Sequence, residues 1–129
     1  MTKQAIQTTA APRPAGSYSQ AVTANGFVYT AGFGPQNPET GEVEEHSVGG
    51  QTRQVMRNLQ AVLRETGAGF EDVVKVTVHL ADLHRDFKEF DAVYSEFLTA
   101  PFPVRTTVGS TLANILVEID VVAVVAREG

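Results

Sequence analysis

Between Leu116 and Val125 the chain reads Leu-Val-Glu-Ile-Asp-Val-Val-Ala-Val-Val, a run dominated by β-branched residues. In a pleated strand Val117, Ile119, Val121 and Ala123 leave one face, while Glu118, Asp120, Val122 and Val124 leave the other. Such a strand needs cover on both faces, because each valine left in water forfeits roughly 1.5 kcal/mol or more. A layer of helices covers one face only. The second face is therefore expected to be buried by self-association.

The rest of the chain supplies the sheet and the helices. Ala21-Val22-Thr23-Ala24 and Phe27 to Ala31 flank Asn25-Gly26, a pair that adopts the positive φ angles of a tight hairpin. Repeated breakers follow in Gly32-Phe33-Gly34-Pro35 and Asn37-Pro38-Glu39-Thr40-Gly41, which predict an ordered loop. Val55, Leu59, Val62 and Leu63 recur at helical spacing and predict a helix from about Val48 to Thr66, ended by Gly67 and weakened at its start by Gly49 and Gly50. Val74, Val76, Val78 and Leu80 alternate with polar residues as a strand directly after it.

A second helix is marked by Phe87, Phe90, Tyr94, Phe97 and Leu98, with Asp86 and Glu89 as a capping box and an end before Pro101. Val104 to Val108 and Leu116 to Val125 are expected to form an antiparallel pair joined by the intervening loop. With Gln4 to Thr8 as a first strand, the order is β-β-β-α-β-α-β-β, an α+β arrangement with two helices on one face of a mixed sheet.

At 129 residues and 43% hydrophobic content, the chain is long enough for one packed core, and residues 1–129 read as one domain. Met1 to Ala11 contain no apolar signal-peptide core and no stretch is long enough to span a membrane, so a cytoplasmic location is expected. Cysteine is absent, which excludes thiolate catalysis and disulfides. A net charge of -5 without a basic cluster disfavours nucleic acid, although one arginine in a pocket could still attract a small anion.

Two charged residues stand out in apolar surroundings. Arg105 lies in a strand of apolar and threonine residues, where it reads either as an edge arginine snorkelling to water or as a carboxylate binder with a planar fork of donors. Glu118 shares a strand face with Asp120, and reads either as part of a solvated edge or as a carboxylate that orients water and takes its proton. His46, His79 and His84 lack metal-ligand spacing. Gly32-Phe33-Gly34 precedes a proline rather than a helix, and Ser19 and Ser110 lack a nucleophile elbow, so phosphate-loop and serine-hydrolase chemistry find little support.

Taken together, these pieces resemble the reactive-intermediate deaminases, the RidA or YjgF family. The likeness rests on Ala11-Pro12, Gly16 to Ala21, Ala31-Gly32, Asn37 to Gly41, Gln51 to Gln54 with Asn58-Leu59, Val73-Val74-Lys75, Val93-Tyr94, Pro103 to Val108 and Val117-Glu118-Ile119, in family order along nearly the whole chain. The resemblance implies a chorismate-mutase-like fold and a homotrimeric barrel with sites in the clefts between subunits. It implies hydrolysis of 2-aminoacrylate, 2-iminopropanoate or 2-iminobutanoate to the 2-keto acid and ammonia, with no cofactor; the histidine spacing, for its part, assigns no metal.

Carried over by position, Arg105 matches the arginine that binds the substrate carboxylate, and Glu118 the acid beside the attacking water. Tyr18 and Gly32 match pocket-lining residues, and Thr107 stands where relatives often have cysteine. Phe33 stands in place of a common glutamine and Asp91 in place of a frequent asparagine, both at the pocket rim, where they bear on substrate preference. A non-catalytic trimer that binds small carboxylic acids or protein partners is the alternative, and a ribonuclease or translation inhibitor is a further one.

Overall fold

The computed structural model describes residues 2–125. A six-stranded mixed sheet in the order β1-β2-β3-β6-β4-β5 carries two α-helices on one face, in the expected β-β-β-α-β-α-β-β sequence. Its strands are β1 (Gln4–Ile6), β2 (Ala21–Ala24), β3 (Phe27–Thr30), β4 (Val73–Leu80), β5 (Val104–Gly109) and β6 (Val117–Val124). The helices are α1 (Val48–Arg64) and α2 (Leu83–Tyr94). No helix among the described residues is long and apolar enough to cross a membrane.

The β2–β3 turn is the predicted one, with φ of 52° at Asn25 and 82° at Gly26, the positive values that match the twist of a two-residue hairpin. Helix α1 begins at Ser47, whose hydroxyl accepts the Gly50 N–H. It is left at Gly67 with φ +82°, beside a return bond from the Ala68 N–H to the Leu63 carbonyl. The glycines in its first turn have a use. A Cβ on Gly49 would come within 2.9 Å of Glu89 Oε2, the same oxygen that accepts the Gly49 N–H and ties α1 to α2.

Three expectations are corrected. The capping box of α2 is not Asp86 with Glu89: the cap is Asp82, which accepts the Arg85 N–H, one turn earlier. Asp86 is a buried helix residue gripped by Arg85 through Nε and Nη2, and Glu89 serves α1 instead. Next, β4 does not follow α1 directly, since a 3-10 turn at Phe70–Asp72 intervenes.

The last two strands also do not pair with each other. β5 lies parallel to β4, and β6 runs antiparallel to β4 on its other side and to β3. Burial explains the choice. Val117, Ile119, Val121 and Ala123 are nearly inaccessible, so β6 takes a central place, whereas the arginine and threonines of β5 suit an edge. The helix-facing side of the sheet packs Val76, Val78, Leu80 and the apolar set of β6 against Val55, Leu59, Val62 and Phe90. Phe27, Tyr29 and Val124 are exposed on the opposite face.

Candidate active site

Arg105 sits on the edge strand in register with Val76, and therefore points to the helix side of the sheet. There its guanidinium lies over Phe87, Phe90 and Tyr94 of α2, at 5.6, 5.5 and 4.8 Å from the ring centroids. These rings hold the cation by their negative faces and shield one side of it from water. Its Nη1 donates to Asp91 Oδ1 at 2.7 Å. The spacing of Phe87, Phe90, Asp91 and Tyr94 along α2 puts all four on one helix face. Burial pushes the Tyr94 phenol above its ordinary value, against the opposing pull of Arg105.

Glu118 belongs to the other face. It stands opposite His79 on β4, and its carboxylate lies against the backbone of Gly32, where a Cβ would come within 2.7 Å of Oε2. Only glycine admits that approach without displacing the acid. The position of Gly32 follows from the next residue: Phe33 exchanges backbone bonds with Ile119 at 2.8 and 3.1 Å, pinning the loop after β3 to β6. Asp120 shares the face, and burial raises its carboxyl above the usual range although His79 and Lys75 pull it down. His79 Nδ1 is 2.7 Å from the Ser110 hydroxyl.

Tyr18 and Gly32 line an open groove of about 1240 Å³ between the N-terminal segment and the loop after β3. Phe33 borders the same groove but is buried in the core. Tyr18 is exposed and its hydroxyl accepts the Ala15 N–H at 3.0 Å, which fixes the ring at the groove's edge. Arg105, Asp91, Thr107 and Glu118 are not in that wall.

The sequence-derived residues thus fall into two groups. Arg105, Thr107 and Asp91 gather at the β5 edge on the helix side, while Glu118, Gly32 and Tyr18 gather around the loop after β3. Two strand spacings and three residues of register separate Arg105 from Glu118, roughly 14 Å between their Cα atoms, and they leave opposite faces. Within one chain they cannot contact the same small molecule.

Several polar residues inside the motifs serve the scaffold. The Gln20 side chain bonds Thr8 in both directions and donates to the Pro12 carbonyl, holding the N-terminal wall of the groove. Asn58 donates from α1 to the carbonyls of Gly34 and Gln36, at 3.0 and 2.9 Å. Gln51 accepts the Leu116 N–H and so steadies the entry to β6. The aromatic cage of Arg105 has no sequence signal of its own, because the spacing of Phe87, Phe90 and Tyr94 is that of any core-facing helix.

Residues 8–125 match the family model described as Endoribonuclease L-PSP. Among curated relatives, a RutC family protein of Synechocystis is 45% identical over 96% of this chain and 98% of its own. Reactive Intermediate Deaminase A, chloroplastic, of Arabidopsis thaliana is 40% identical over 94% of this chain and 65% of its own length. The crystal structure of YyfA of Yersinia pestis, a protein of the conserved Rid family, superposes with a TM-score of 0.91 at 36% identity, covering 96% of this chain and all of the other.

Proposed function

Since this chain belongs to the RidA/YjgF family, we propose that it hydrolyses 2-enamine and 2-imino acids to the 2-keto acid and ammonia. The substrates are 2-aminoacrylate with its imine 2-iminopropanoate, or 2-iminobutanoate. The site is completed between copies of the chain, with Arg105, Thr107 and Asp91 from one and Glu118, Gly32 and Tyr18 from the next. A homotrimer, whose sheets close into a barrel through their uncovered faces, is the assembly that this reading adopts.

The observation that carries the reading is the state of Arg105. It is held over three aromatic rings and 21% exposed, with Nη1 hydrogen-bonded to Asp91. A guanidinium so held keeps donors for a carboxylate and has little rotamer freedom left to lose on binding. With the carboxylate anchored there, the adjacent C=N carbon is presented to water. Glu118 takes a proton as the water oxygen bonds to that carbon. The C=N electron pair moves onto the nitrogen of the protonated imine, giving a carbinolamine. Its nitrogen regains the proton from Glu118, and as the C–N bond breaks the hydroxyl becomes the keto C=O, its proton passes back to Glu118 and ammonia leaves. Positioning of this kind is worth several kcal/mol without any nucleophilic side chain.

The name of the family model is not carried over to a ribonuclease activity. Fifteen acids against ten Lys and Arg give little attraction for a polyanion. The test is the decay of 2-aminoacrylate generated in place by a serine dehydratase: this protein speeds it, and Arg105→Ala returns it to the spontaneous rate. Equal rates with and without the protein overturn the reading, and keto-acid binding without turnover would make it a small-acid binding protein instead.

A further inference from the structure

Arg105 does not meet its ligand as a bare cation. Asp91 is bonded to it at 2.7 Å, and the Asp91 side chain is 45% exposed, so a carboxylate that solvent and solutes can reach stands beside the guanidinium. A plain carboxylate arriving at Arg105 gains the free donors but meets a like charge within one hydrogen bond of its seat. A ligand with a cationic nitrogen on the carbon next to its carboxylate meets an opposite charge at each end. Both halves of the pair are aimed from rigid elements, Arg105 from β5 and Asp91 from the face of α2 that also carries the three rings.

We propose that Asp91 and Arg105 form a two-charge recognition pair that selects zwitterionic ligands, carboxylates with an adjacent iminium or ammonium nitrogen, over carboxylates without one. This rests on the reading of Arg105 as the carboxylate anchor and deepens it. The pair favours the protonated iminium, the form of the substrate most open to attack by water. It also disfavours the keto-acid product, whose oxygen accepts hydrogen bonds but cannot donate one to Asp91. Asp91 is then a specificity-determining residue of the site. A merely structural ion pair at this exposure would contribute little to anything and would not sort ligands by charge.

The matched probes are alanine and propanoate, which share carbon skeleton and carboxylate and differ by the ammonium group. Ligand-observed NMR titration of the full chain should show alanine bound more tightly, and Asp91→Asn should lower the alanine-to-propanoate preference by roughly tenfold. Asp91→Glu, which keeps the charge, should restore part of it. An unchanged preference in Asp91→Asn, with both ligands lost in Arg105→Ala, overturns the pair while leaving the anchor standing. Undiminished propanoate binding in Arg105→Ala, or no binding of either probe to the unaltered chain, overturns the anchor and this inference together.

Discussion

The two faces of the sheet are built from the same strands and solve opposite problems. The helix side is a closed apolar layer, with Val78, Val117 and Ile119 fully buried, and it admits one cation only where aromatic rings and an acid receive it. The other side sets Glu118, Asp120, Lys75 and His79 among Phe27, Tyr29, Val122 and Val124, with no helical layer of the described residues above them. The difference teaches where a small-molecule site can form. Each face holds one of the two groups proposed for hydrolysis, Arg105 on one and Glu118 on the other, and neither holds both.

The largest effect should come from dividing the two groups between chains. Arg105→Ala and Glu118→Gln are each expected to lower kcat/KM about 100- to 1000-fold in the aminoacrylate assay. Assembled together from mixed unfolded chains, the two inactive variants should regain activity, because some sites then join an intact Arg105 to an intact Glu118. Absence of any recovery would break the reading that the site spans two copies. Next comes a matched pair of valines. Val78→Ala, on the helix side, should cost about 2–3 kcal/mol in chemical denaturation, from lost transfer energy and an unfilled cavity. Val122→Ala should cost much less if its face stays wet and nearly as much if another copy covers it.

A smaller effect is expected at Gly32. An alanine there should push the Glu118 carboxylate aside and lower kcat/KM about tenfold, with the denaturation midpoint almost unmoved, since a flexible side chain gives way rather than backbone. The smallest belongs to Asp120. Its carboxyl is raised, so the folded chain binds that proton more tightly than the unfolded one, and the charged form is penalised above the ordinary aspartate range. Asp120→Asn should therefore stabilise the protein near pH 7, by only a few tenths of a kcal/mol because the group is only partly buried and solvent screens it. The gain should fade as pH drops below about 4. A gain that grows on acidification would reverse the assignment of burial as the cause.

Local chemistry was legible in the sequence, and pairing across distance was not. Asn25-Gly26 announced its hairpin and the spacing of Val55, Leu59, Val62 and Leu63 announced α1, because a turn or a helical face is defined by neighbours in the chain. The placement of β6 between β3 and β4 had no such mark: adjacency suggested β5 as its partner, and burial on both flanks decided otherwise. Asp86 and Glu89 had the spacing of a cap, yet Asp82 stood one turn ahead with the same chemistry. Arg105 and Glu118 were singled out as charges in apolar strands. Their division between the two faces required the register of β4, which relates both to a common ruler.

The central position of β6 also bears on how the chain is made. Five strands leave the ribosome before it, and until it arrives β3 and β4 each present an unpaired backbone edge. Among the described residues the hairpin half and the β4–α2–β5 half share no ladder without it, so cooperative closure waits on β6, which follows the other five strands in the chain. A topology that depends on such distant pairing folds slowly and leaves edges open to the wrong partner. Quality control of the nascent chain should therefore bear most heavily on the interval before β6 emerges, and chaperone occupancy should fall as that strand docks.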